Sequence, residues 1–111
     1  MRVLAVGLMA LLAGPVAAEA VKLDGAGITK ALVGVALVYD DGTSQSFAGD
    51  GGTVFDGGNG ASNGRWRVSG DQYCSEWPPS DSWACYDVTQ DGRVIAFVAA
   101  DGSASVGRVK N

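Results

Sequence analysis

The sequence predicts a mainly β domain: a small antiparallel meander, barrel-like, with one short N-terminal helix. Three observations predict it. Short runs of β formers recur at about 8–12 residues, Asp-Gly pairs punctuate them, and the helical period occurs once, near the start. The length of 111 residues suits one domain.

Residues 1–18 read as a secretory signal peptide. Arg2 gives a positive start, Val3 to Leu12 is an apolar run, and Gly14-Pro15 breaks it before small residues. Cleavage is expected after Ala18 or Ala20. The apolar run is shorter than the roughly 20 residues that span a bilayer, so no stable membrane anchor is expected. Residues 19–111 then form a single β-rich domain, periplasmic or secreted.

Residues 24–34 carry the helix. Asp24 can cap its N-terminus, Leu23 precedes it as a staple, and Ile28, Ala31 and Leu32 share one face. Gly34 is placed to stop it. The run VALVYD begins at Val35, and Asp41-Gly42 joins it to TSQSFAG, where Thr43, Gln45 and Phe47 share a face. Thr53-Val54-Phe55 forms a third strand. Residues 56–64 hold no apolar side chain larger than alanine and are expected to be a flexible loop.

Beyond it, RWRVSG puts Trp66 and Val68 on one side and Arg65 and Arg67 on the other. Gly70-Asp71 turns the chain into QYCSEW, with Tyr73, Ser75 and Trp77 on one face and Cys74 on the opposite one. The segment PPSDS is a loop, since prolines cannot donate to a ladder. WACYDV returns, with Cys85 facing the same way as Trp83 and Asp87. RVIAFV and SASVGRV follow the turns at Asp91-Gly92 and Asp101-Gly102.

Cys74 and Cys85 are the only cysteines, and export sends them to an oxidising compartment, so a structural disulfide is expected. The ring it closes is short, and loop entropy gives about 3 kcal/mol in the chain-entropy picture. If the two face each other across a hairpin, Tyr73 faces Tyr86, Glu76 faces Trp83 and Trp77 faces Ser82.

Composition narrows function. The chain has no histidine, which removes a Ser-His-Asp triad and imidazole ligands. Serines 75, 80 and 82 leave only a Ser-Lys pair conceivable, and Lys22, Lys30 and Lys110 lie near the termini. Asp81 and Asp87 could pair as carboxylates, but a domain of this size offers little cleft for a glycosidase. The chain is therefore read as not an enzyme. The formal charge of −4, one unit more acidic once Arg2 leaves with the leader, argues against a nucleic-acid partner. Six Asp-Gly pairs suggest calcium only superficially, because their spacing is irregular; the 50–56 loop would be the best candidate. Turn chemistry accounts for them, and no metal or cofactor is expected.

The segment 66–88 concentrates the aromatics: Trp66, Tyr73, Trp77, Trp83 and Tyr86. They form either the core or an exposed platform. The candidate binding surface is Trp77, Pro78, Pro79 and Trp83, restrained by the Cys74–Cys85 ring. A carrier would instead show a cavity lined by Trp66, Tyr73 and Phe97.

The order LDGAGITKALVG, YDDGTSQSFAGDGGTVFD, GRWRVSGDQYCSEWPPSDSWACYDV, DGRVIAFVAADG resembles a group of small secreted alphaproteobacterial proteins of unknown function. That group has a short helix ending in Gly, then a G-x-W-x-V-x-G-D-x-x-C strand pair and a second Cys. The resemblance implies secretion, the disulfide and a β-rich fold, and no activity. A looser similarity links the chain to small periplasmic β-barrel inhibitors of proteases or lysozyme. The functional expectation is a monomeric, non-enzymatic binding domain whose partner is a protein or small ligand. The alternatives are an inhibitor of an exogenous hydrolase and a small-ligand carrier.

Overall fold

The computed structural model describes residues 20–110; the expected leader, residues 1–18, lies outside them. The elements run β1 (Val21–Lys22), α1 (Gly25–Leu32), β2 (Val35–Tyr39), β3 (Ser44–Phe47), β4 (Gly52–Asp56), β5 (Ala61–Ser69), β6 (Gln72–Glu76), β7 (Ala84–Asp91), β8 (Val94–Val98) and β9 (Ala104–Val109). From β2 to β9 each strand pairs antiparallel with the next, and β9 pairs back onto β2. The sheet is therefore an eight-stranded up-and-down barrel, and closure removes the edges that an open meander would expose. The extra strand β1 pairs with Thr89 and Gln90 of β7, beyond the stretch of β7 that pairs with β6.

The helix forms as its cap residues dictate. The Asp24 carboxylate accepts from Gly27 N at 2.8 Å, and Gly34, at φ 76°, ends the turn where an L-residue would be strained. Ile28 and Leu32 point into one end of the barrel and are fully buried. Gly25 brings the helix onto the β5–β6 turn: its N–H donates to Asp71 at 2.8 Å, and a Cβ there would lie 2.4 Å from the Gly70 carbonyl oxygen. The helix thus plugs this end of the barrel.

Side chains alternate inward and outward along every strand, as period two requires. The inward rows supply Leu37, Phe47, Trp66, Tyr73, Val88, Ile95 and Phe97, which pack with Ile28 and Leu32 into one cluster. Phe47 lies edge-on to Trp66 and to Tyr73, each 5.8 Å between centroids. Trp66 Nε1 donates to the Ala48 carbonyl at 3.0 Å, which satisfies the indole in this filled half.

Three of the Asp-Gly turns are the same structure repeated. At Tyr39–Thr43, Ala48–Gly52 and Ala99–Ser103 the first residue's N–H bonds to the last carbonyl, and the glycine N–H bonds back to the first carbonyl. In each, the aspartate accepts from the N–H two residues on, at 2.9–3.0 Å. The glycines have φ of 89°, 97° and 89°. These are three-residue hairpin loops ending in a left-handed glycine, which matches the strands' right-handed twist.

Two expectations need correction. Residues 61–64 are not loop: Ala61–Gly64 pair with Asp56–Thr53, leaving only 57–60 as the connection. Strand pairing uses backbone groups, and these small residues supply them without apolar side chains. The hairpin register places Tyr73 opposite Tyr86 and Cys74 opposite Cys85, but pairing ends at Ser75–Ala84. Glu76 and Trp77 therefore have no ladder partner in β7, because the Pro78-Pro79 segment leaves the sheet there.

Candidate binding cavity at the barrel mouth

The end of the barrel opposite the helix is open. The turns β2–β3, β4–β5, β6–β7 and β8–β9 surround it, and beneath them lies a cavity of about 670 Å³. Its position follows from the inward rows. Near the helix these rows hold Leu37, Phe47, Val88 and Ile95; one step toward the mouth they hold Tyr39, Gln45, Tyr86, Phe97 and Ser105.

A hydrogen-bonded row crosses the floor. Tyr39 Oη donates to Gln45 Oε1 at 2.6 Å. Gln45 Nε2 donates to Thr53 Oγ1 at 2.9 Å and to Tyr73 Oη at 3.2 Å. Thr53 in turn donates to the Ser46 carbonyl at 2.7 Å. Ser75 accepts from Trp77 Nε1 at 3.2 Å. Buried Gln45 is thus satisfied on both ends of its amide, which removes the penalty its burial would carry. Burial pushes both the Tyr39 and Tyr73 phenols up from their ordinary values, so both stay protonated at neutral pH. The Tyr86 hydroxyl lines the same cavity and makes no hydrogen bond among the described residues.

The wall is aromatic. Tyr39 and Phe55 have centroids 6.5 Å apart, and Phe55 meets Trp77 edge-to-face at 6.4 Å. Trp77 reaches this wall because Gly64 leaves the space: a Cβ on Gly64 would lie 2.5 Å from Trp77 Cε3.

Of the four residues expected to form one surface, two line the cavity and two do not. Trp77 is half-buried and Pro78 exposed, and both line the cavity; Pro79 is exposed beyond it. Trp83 lies on the outer face of the sheet, half-buried, with the Arg67 guanidinium 4.0 Å above its ring. The disulfide joins Cys74 and Cys85 on that same outer face. Of the residues expected to line a carrier's cavity, Tyr73 and Phe97 do so, while Trp66 belongs to the packed half. The sequence reading missed Tyr39, Gln45, Phe55 and Tyr86. One signal was present: Gln45 is a polar residue in the same inward row as Phe47.

Among the described residues no group of three or more Cys, Asp or Glu side chains is arranged to hold a metal ion. Also among them, no helix is long and apolar enough to cross a membrane. Comparison with known proteins gives no matching family model, no matching curated protein and no matching solved structure.

Proposed function

We propose that this protein is an exported, non-enzymatic binding domain that carries a small ligand in the mouth of its barrel. The observation that carries the reading is the cavity of about 670 Å³ above a satisfied polar floor and beside an aromatic wall. Small-molecule sites run to roughly 300–1,000 Å³, and eight-stranded barrels have room for one small ligand. A mostly apolar pocket with a few fixed polar groups supplies both affinity and orientation.

Binding rather than catalysis is supported by the floor's chemistry. The two buried phenols are held protonated, the reverse of what a general base requires. Export to the periplasm or medium is supported by the leader-like residues 1–18 and by the disulfide.

A second reading is a protein partner, such as an exogenous hydrolase, held by the β6–β7 hairpin. The exposed Pro78 and Pro79 in that hairpin's connection and the Arg67–Trp83 stack favour it.

The test uses the neutral dye N-phenyl-1-naphthylamine, whose fluorescence rises in apolar sites. Saturable one-to-one binding is expected, abolished by Ser105→Trp, which would fill the mouth, with the circular dichroism unchanged. Absence of saturable binding, or binding that Ser105→Trp leaves intact, would overturn the reading.

A further inference from the structure

The charged residues lining the cavity are Asp40 and Asp41, both at the β2–β3 turn on its rim. Asp41 Oδ1 accepts from Thr43 N at 3.0 Å and from Thr43 Oγ1 at 2.6 Å. These bonds hold the Asp41 carboxyl below its usual pKa, so it is fully ionised at neutral pH. The carboxylate of Asp40 forms no ion pair or side-chain hydrogen bond among the described residues. Among the described residues no lysine or arginine lines the cavity; Arg65 pairs with Glu76 at 3.2 Å, and Arg67 lies on the ring of Trp83.

Inside this acidic rim stand the rings of Tyr39, Phe55 and Trp77, and Tyr86 lines the same cavity beside Tyr73 at 6.2 Å. Aromatic faces carry negative quadrupole potential and attract cations, most strongly where water is displaced. Successive rings in the wall are tilted 43° and 78° to one another, so they do not all present the same aspect to the cavity. An anion entering here would lose its hydration beside two carboxylates and gain no counter-charge.

We infer that the mouth selects an organic cation: an alkylated ammonium group carried on a ring or short apolar body, with the ammonium between the aromatic wall and the Asp40–Asp41 rim. This rests on the proposed ligand site and adds the sign of the charge it accepts. The apolar body would occupy the space over Phe97, and the ammonium would need no hydrogen bond, as quaternary nitrogen offers none.

The experiment displaces bound N-phenyl-1-naphthylamine from the full exported chain with three compounds of one shape: benzyltrimethylammonium, its uncharged isostere neopentylbenzene, and the anion phenylmethanesulfonate. The cation is expected to compete roughly two- to thirty-fold better than the isostere, the range cation–π attraction allows. The sulfonate is expected to be the weakest. In Asp40→Asn/Asp41→Asn the cation's advantage over the isostere, read within that variant, should shrink severalfold, since asparagine preserves the turn's acceptor and removes only the charge. Equal competition by cation and isostere, stronger competition by the sulfonate, or no displacement by any of the three would overturn the charge inference while the dye site stands. Failure of the dye itself to bind would overturn both.

Discussion

Replacing Gly64 with alanine tests the geometry that builds the mouth. The new Cβ would lie 2.5 Å from Trp77 Cε3, 2.8 Å from Trp77 Cδ2 and 2.8 Å from the Glu76 carbonyl oxygen. Normal carbon–carbon contact is about 3.5–4.0 Å, so about an ångström must be found. The carbonyl oxygen belongs to β6, which is paired to β5 immediately below, and cannot yield without breaking that register. Trp77 must therefore swing outward, losing its 6.4 Å contact with Phe55 and its bond to Ser75. An aromatic pair contributes about 0.5–1.5 kcal/mol beyond area, and overpacking costs about 1–3 kcal/mol. We expect Gly64→Ala to destabilise by about 1–3 kcal/mol, lowering Tm by about 4–8 °C for each kcal/mol. In a Trp66→Phe/Trp83→Phe background, Trp77 emission should shift to the red and dye affinity should fall. A variant with unchanged Tm and unchanged Trp77 emission would refute the reasoning.

Other perturbations follow from the same structure. Cys74→Ser/Cys85→Ser should lower the unfolding free energy by about 2–4 kcal/mol, measured by urea denaturation, because the 74–85 ring no longer limits the unfolded chain. Gln45→Leu strips partners from Tyr39, Thr53 and Tyr73 together, and should cost about 1–3 kcal/mol by the same measurement. Stability should fall as pH rises past about 10: the unfolded phenols ionise there while burial keeps Tyr39 and Tyr73 protonated, so alkali favours the unfolded chain. In Tyr39→Phe that slope should flatten, read from chemical denaturation between pH 8 and 11.

Much of the barrel is written locally. Asp-Gly turns and period-two rows marked most strands, and Cys74 with Cys85 fixed the β6–β7 register. Closure is not local: the Leu37–Val109 pairing joins residues near opposite ends of the domain, and nothing near either one announces it. The strand at Ala61–Gly64 carries no hydrophobic pattern, so its side chains do not distinguish it from loop. The site was partly legible. Alternation put Trp77 in the row of Tyr73 and Ser75, and Trp83 in the row of Cys85, which already separates the two tryptophans onto opposite faces. The cavity itself was not, because an empty space depends on barrel diameter and on which inward residues fall at the open end.

In the proposed function, ligand enters the barrel mouth and not the outer hairpin surface. Nuclear Overhauser contacts between bound N-phenyl-1-naphthylamine and the protein test it most directly. We predict contacts to the ring protons of Tyr39, Phe55, Trp77 and Tyr86. Contacts confined to Pro79, Trp83 and Arg67 would place the ligand on the hairpin surface and rule out the mouth as its site.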